Sequence, residues 1–266
     1  MNAELLLMFT LDCDRAYLYA HPERELIGDE QSRYQAALNE RARGVPAQYI
    51  TGHQEFWGMD FIVTPAVLIP RPETEHVIET VLALTRLGRT GGQECPPHTM
   101  RIVDVGTGSG CIALALAKEL PGAEIHASDV SAAALEIARA NAARHGLEGR
   151  IEFHQTDLLA GLSSDFDFIV SNPPYVGESE EDQVQLEVRR FEPRSAVFAG
   201  ATGVEVIARL VPQARAALRP GGWLVLEISG TIASPVQRLL ESWEEVRTIS
   251  DLQSIPRVVR ARKPHQ

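Results

Sequence analysis

Cysteine is scarce in this chain. Only Cys13, Cys95 and Cys111 occur in 266 residues, widely separated, odd in number and in no C-x-x-C pair. That excludes a disulfide framework and a zinc knuckle, and the three read as ordinary thiols. Long apolar runs are missing too, since no stretch approaches the length needed to span a bilayer. The opening MNAELLLMFTLDCDRAY puts an acid ahead of a short apolar patch and carries no cleavage signature, so a cytoplasmic protein is expected. Basic residues fall short of acidic ones, 25 against 36, which leaves a formal net charge of -11. Such an excess repels phosphate backbones at long range and argues against free nucleic acid as the main partner, unless a local basic patch overrides it. His53, His76, His126, His145 and His154 show no H-E-x-x-H spacing, so no metal is assigned. Internal repeats and low-complexity tracts are absent. What remains, with 44% hydrophobic residues, suffices for one large α/β domain and a smaller module.

Residues 88 to 99, GRTGGQECPPHT, are rich in Gly and Pro and read as a linker or surface loop. The GGQ inside it, Gly91 to Gln93, is ordinary linker composition. Before it, apolar residues recur at helical spacing through ELLLMFTL, DRAYLYA and DEQSRYQAALNERARG, the last closed by Gly44. EFWGMDFIV and AVLI read as short strands around Gly58, and Thr74 to Leu87 as a helix after a Pro-rich entry. Beyond it, RIVDV, EIHAS, IEFHQ, FDFIV and GGWLVLEI alternate with the helical runs CIALALAKEL, AAALEIARANAARHG and VEVIARLVPQARAAL. Such alternation predicts a doubly wound parallel sheet. The expected division is an N-terminal helical domain over 1–48, a β-hairpin and helix join over 49–90, and an α/β domain over 91–266.

Strand RIVDV runs directly into Gly106, Thr107, Gly108, Ser109 and Gly110 and then a helix, the place where open α/β sheets bind ligands. The spacing G-x-G-x-G departs from the dinucleotide fingerprint, and Asp104 just ahead of it disfavours a pyrophosphate. Asp129 ends the next strand, where a carboxylate accepts hydrogen bonds from both ribose hydroxyls, and Asp157 follows the third, placed to meet an adenine amino group. Alone, each acid is an ordinary helix cap or loop residue. Together with the glycine loop they resemble the class I Rossmann-like methyltransferases that use S-adenosyl-L-methionine and release S-adenosyl-L-homocysteine.

In such a fold the fourth strand ends beside the transferred methyl group. Here it ends in Asn172, Pro173, Pro174 and Tyr175, where proline stops the ladder for want of an N–H. A planar amide or aromatic amine is a poor nucleophile. The Asn172 side-chain oxygen and the Pro173 carbonyl can each take one N–H of an incoming NH₂ group and orient it, while Tyr175 offers a flat face to a planar group. A lone Asn-Pro elsewhere would be a rigid turn. The motif leaves DNA bases, RNA guanine and a protein glutamine open as acceptors.

The flanks choose among them. QYITGHQEFWGMDFIVTPAVLIPRPETE (48 to 75), DVGTGSGCIALALA, SNPPYV and EPRSAVFAG together resemble the HemK/PrmC family, the peptide chain release factor glutamine methyltransferases. IPRPETE matters most, because ribosomal protein L3 glutamine methyltransferases share NPPY but usually differ there, and nucleic-acid methyltransferases lack it. The resemblance implies an N-terminal helical bundle, a β-hairpin join and a Rossmann-like domain acting on the Gln of the GGQ loop of class I release factors. It places Gly106 to Gly110 and Asp129 on the cofactor, Asp157 and Leu158 at its adenine, and Asn172 to Tyr175 on the substrate amide. Arg71 and Glu73 fall near the methionine end or in an ion pair at the join. LEISGTIAS departs from the family, which tends to have Gly directly after EI, so Ser229 alters local loop detail. A monomer is expected, with no membrane contact and no direct nucleic-acid substrate. Cys111 opens an apolar helix face and reads as core. ESEEDQ (178 to 183) reads as a solvated segment flanking the substrate groove.

Overall fold

The structure, a computed structural model, describes residues 2–90 and 99–265; Cys95 and the Gly91 to Gln93 triplet lie outside the described residues. Helices α1 (Asn2–Leu11), α2 (Arg15–Ala20), α3 (Gly28–Ala42) and α4 (Ala47–Thr51) come first, with α1, α3 and α4 in mutual contact. The hairpin β1 (His53–Phe56) and β2 (Met59–Ile62) turns at Trp57 and Gly58, both with φ above zero (53° and 63°), which matches the twist of the paired strands. AVLI, expected as a strand, forms no ladder. Val67 and Ile69 are buried; the Val67 N–H closes a turn onto Thr64 O at 3.0 Å, and side chains take two further groups: Tyr49 Oη donates to Val67 O at 2.6 Å, and Ile69 N–H donates to Glu192 Oε2 at 3.1 Å. A short 3₁₀ turn, Pro72–Thr74, leads into α5 (Glu75–Thr90), which runs past the expected end at Leu87 and takes the first residues of the expected linker.

The α/β part follows as β3 (Arg101–Val105), α6 (Cys111–Glu119), β4 (Glu124–Asp129), α7 (Ala132–Arg144), β5 (Ile151–Gln155), β6 (Phe166–Ser171), β7 (Val176–Gly177), α8 (Leu186–Phe191), α9 (Arg194–Val197), β8 (Phe198–Gly200), α10 (Glu205–Ala217), β9 (Leu218–Glu227), α11 (Ala233–Leu239), β10 (Glu244–Ser250) and β11 (Pro256–Arg262). The five expected strands are present. They belong to a sheet of seven, ordered β10-β11-β9-β6-β3-β4-β5. The five expected strands run parallel, and of the two additional strands at one end β11 runs antiparallel to both β9 and β10.

Side chains of the central strands alternate between two cores. Ile102, Phe168, Val170 and Val225 face α5 and α6, while Val103, Ile169, Leu224 and Leu226 face α10 and α11. Both faces are therefore covered. The order of strands reverses between β3 and β6, so their C-terminal ends flank the switch-point crevice. The join is held down by Asn141 of α7, fully buried: its amide takes the Ile62 N–H (2.7 Å) and donates to Ile62 O (3.0 Å) and Ser109 O (2.9 Å). One side chain thus links hairpin, helix and glycine loop.

Candidate active site

The glycine loop turns tightly at the end of β3. Gly106 and Thr107 donate backbone N–H groups to Ser128 O at 2.8 and 2.9 Å, which docks the loop on β4. Gly106, Gly108 and Gly110 all have positive φ (72°, 56° and 85°), where other residues are strained. The reasons for glycine differ along the loop. A Cβ on Gly110 would stand 2.7 Å from Leu114 Cδ1 and 3.2 Å from Ala138 Cβ, so that glycine permits helix packing. A Cβ on Gly106 or Gly108 would meet nothing within 4 Å, and both residues line a cavity of about 270 Å³.

Asp129 lines the same cavity, its two carboxylate oxygens fixed by Gly108 N–H and Ser131 N–H, each at 2.9 Å. Spare lone pairs on both oxygens remain for a diol. Asp157 and Leu158 form another part of the wall, with Asp157 ion-paired to Arg209 at the rim. Arg209 and Val206 of α10 also line the cavity, which the sequence reading missed. Open space above two glycines, a carboxylate held by backbone donors and a mixed apolar wall fit a nucleoside-bearing cofactor. Asp104, by contrast, is buried beneath the loop, accepts the Thr107 hydroxyl at 2.6 Å, and is pushed up to about 7 by burial.

A second cavity of about 430 Å³ adjoins the first. Asn172, Pro174, Arg71 and Leu68 line both, so Asn172 stands on the partition. Pro173 is buried behind them and Tyr175 faces only the second cavity. Asn172 Nδ2 donates to Thr74 Oγ1 at 3.1 Å. With its nitrogen so engaged, the amide oxygen of Asn172 is left to accept. Tyr175 Oη donates to Glu227 Oε1 at 3.2 Å, and burial first, then the nearby carboxylate, raises the phenol well above its ordinary value. Glu227 itself is buried, and burial raises its carboxyl to about 7. Thr74 and Glu227 were not among the expected site residues. The available signal was a lone acid closing the apolar strand WLVLE.

Arg71 and Glu73 part company. Arg71 lines both cavities and pairs with buried Glu192, whose other oxygen takes the Ile69 N–H, so IPRPETE and EPRSAVFAG are bound to each other. Glu73 does not line the first cavity. The 3₁₀ turn carries it to the second, where its Oε1 lies 3.7 Å from Arg257 Nη2. Cys111 is buried at the start of α6, and burial raises its thiol to about 12, as befits a core residue that also touches the cavity wall.

Residues 91–190 match the family model described as the methyltransferase small domain, and residues 1–52 match the PrmC N-terminal domain. The chain is 55% identical over 268 residues to the release factor glutamine methyltransferase of Koribacter versatilis, covering 99% of this chain and 91% of that one. It is 44% identical over 263 residues to the protein of the same description in Chlorobaculum tepidum, covering 97% and 88%. Among solved structures, the hMettl16 catalytic domain in complex with an RNA hairpin superposes with a TM-score of 0.60 at 20% identity, covering 83% of this chain and 80% of that one. The Thermus thermophilus 16S rRNA N2 G1207 methyltransferase, in complex with AdoMet and guanosine, gives 0.56 at 22%, covering 79% and 49%. These two likenesses concern the fold alone. Near-complete coverage at high identity settles the kinship: the chain belongs to the release factor glutamine methyltransferase family.

Proposed function

We propose that this chain transfers a methyl group from S-adenosylmethionine to the side-chain amide nitrogen of the glutamine in the GGQ loop of class I release factors. The observation that carries the reading is Asn172 on the wall between two adjoining cavities, its nitrogen tied back to Thr74. The first cavity takes the cofactor, with Asp129 on the ribose hydroxyls, Asp157 and Leu158 beside the adenine, and Gly106 to Gly110 under the methionine part. When bound, the cofactor supplies a methyl group on a positively charged sulfur. The second cavity takes the glutamine side chain. Asn172 Oδ1 accepts one amide N–H and the Pro173 carbonyl the other, which points the nitrogen lone pair toward the first cavity and stabilises positive charge as it develops there. A strong base is not required, because an amide nitrogen that has gained a fourth substituent sheds its proton readily to water.

The charge around the second cavity favours a protein acceptor. Arg71 and Arg257 are matched by Glu192, Glu73 and Glu227, and Arg189 and Arg194 nearby pair with Asp182 and Glu181. That is no track for a phosphate backbone. Glycines flanking the acceptor let its backbone enter a narrow opening. The helical layer α1 to α4 supplies a second contact with the folded partner, and Arg41 of α3 already meets Glu187 of α8 at 2.9 Å. Among the described residues no helix is long and apolar enough to cross a membrane.

A labelled-methyl assay offering release factor, its isolated GGQ peptide, ribosomal protein L3, tRNA and DNA side by side tests the reading. The expected result is label on the intact release factor, far less on the peptide because a single weak contact lacks the effective concentration of two, and none on a release factor carrying Glu for Gln. Strong label on a nucleic acid with none on the release factor overturns it.

A further inference from the structure

Histidines that show no metal spacing along the chain are brought together by strand register. In the parallel pair β4 and β5, His126 stands opposite Glu152, and Ser128 opposite His154. Residues two apart on a strand share a face, so Glu152 and His154 both project beside His126. His126 Nδ1 lies 3.0 Å from His154 Nε2 and 3.6 Å from Glu152 Oε2, while His154 Nε2 lies 3.5 Å from Glu152 Oε1. Ligand atoms held tetrahedrally about 2.0–2.1 Å from a zinc ion are separated by about 3.3 Å. Each imidazole nitrogen stands at nearly that distance from one oxygen of the carboxylate, and one ligand atom from each residue lies within 4.8 Å of the others before any ion is added.

The far side of His126 is prepared in the same sense. Its Nε2 meets Glu124 Oε1 at 2.7 Å, against 3.5 Å to Arg101 Nη2, so the ring proton sits on Nε2 and donates to the carboxylate. That leaves the Nδ1 lone pair aimed at His154 and Glu152. Carboxylate behind, imidazole in the middle and metal in front is the arrangement that orients histidine ligands generally. Arg101 does not intrude: it is held by Glu124, Ser163 and the Ser164 carbonyl on the Nε2 side. His126 is 4% exposed, whereas Glu152 stands open to solvent, which gives an ion one side of entry and a coordination position for water.

We propose that His126 Nδ1, His154 Nε2 and the Glu152 carboxylate form a binding site for a divalent transition metal of the zinc type, separate from the methyl-transfer site. The ion takes the place of the proton that His154 Nε2 now shares with His126 Nδ1; that proton moves to His154 Nδ1, and both imidazoles stay neutral. It clips β4 to the edge strand β5, a few residues before Asp129 and Asp157. Soft thiolate is absent from the donor set, and hard cations such as Mg²⁺ prefer oxygen alone, so Zn²⁺ and Co²⁺ are the fitting ions.

The test is calorimetry of tag-free, chelator-treated full chain with Zn²⁺, and visible absorption with Co²⁺. One equivalent of saturable Zn²⁺ uptake is expected, with the intense d–d bands of tetrahedral Co²⁺ and a raised melting temperature. Uptake weakens at low pH as the imidazoles protonate. His154→Gln and Glu152→Gln, both on the solvent side, should each weaken uptake at least about tenfold, with circular dichroism checking that the fold is kept. Absence of saturable uptake, or uptake unchanged in both variants, overturns the proposal.

Discussion

Asn172 and Thr74 are joined by a hydrogen bond that spans 98 residues of sequence and links the acceptor motif to the join. On the proposed function, the bond leaves the amide oxygen to face the substrate. Replacing Asn172 by Ala removes the accepting oxygen; by analogy with losing one oxyanion donor, the transfer rate should fall on the order of 10²–10³-fold. Cofactor affinity should change far less. Single-turnover methylation beside cofactor titration checks both, and a rate within a few-fold of wild type makes Asn172 a turn residue only.

Asp129→Ala should act in the opposite way. Each charge-assisted hydrogen bond to a ribose hydroxyl contributes about 1.5–3 kcal/mol, so cofactor affinity should drop at least about tenfold. Calorimetry with the demethylated product measures this free of turnover. Unchanged affinity removes the ribose from Asp129.

Two glycines of one loop should fail differently. Gly110→Ala drives a methyl into Leu114 and Ala138 and should cost about 1–3 kcal/mol from overpacking, besides about 1–2 kcal/mol for positive φ. Gly108→Ala carries only the backbone cost, but its methyl enters the cofactor cavity. Thermal melts should therefore single out Gly110→Ala, while cofactor titration of the folded fraction should single out Gly108→Ala.

Burial raises Asp104 and Glu227 to about 7, from ordinary values of 3.8 and 4.5. Between those limits the folded chain binds more protons than the unfolded one, so both groups make stability fall as pH rises through the window and level off above about 7. Carboxylates lowered by partners, such as Glu124 and Asp251, add the reverse trend only at more acid pH. Asp104→Asn should flatten the decline between about pH 4 and 7 in denaturant melts. An unaltered slope means that Asp104 is ionised in the native state.

Much of this architecture was legible because α/β strands announce themselves. FDFIV is buried on both faces and reads as an uninterrupted apolar run, and the loop after RIVDV advertises its glycines. The strands EEVRTIS and PRVVRAR were missed because they mix charge with apolar residues and form a half-exposed antiparallel hairpin. AVLI misled for the converse reason: its apolar residues are buried, but a turn onto Thr64 and side chains from Tyr49 and Glu192 take its backbone hydrogen bonds. Of the cavity-lining residues, Gly106 to Gly110, Asp129 and Asn172 lie at or just after strand ends legible in the sequence. Thr74, inside IPRPETE, and Glu227, at the end of WLVLE, were passed over because only tertiary contact brings them to Asn172 and Tyr175.

The position of β5 at the margin of the seven-stranded sheet gives the pocket two unequal ends. Asn172 follows β6, which is laddered to a neighbour on each side, and Glu227 closes β9, which is likewise flanked. Asp157 and Leu158 hang from a strand with one neighbour only. Local opening is cheapest where half the ladder already faces solvent, so amide hydrogens of β5 should exchange ahead of those of β6 and β9. On the proposed function, β5 carries the adenine end, which can then breathe to admit fresh cofactor and let the spent one go, while the amide-holding end keeps its shape from one turnover to the next.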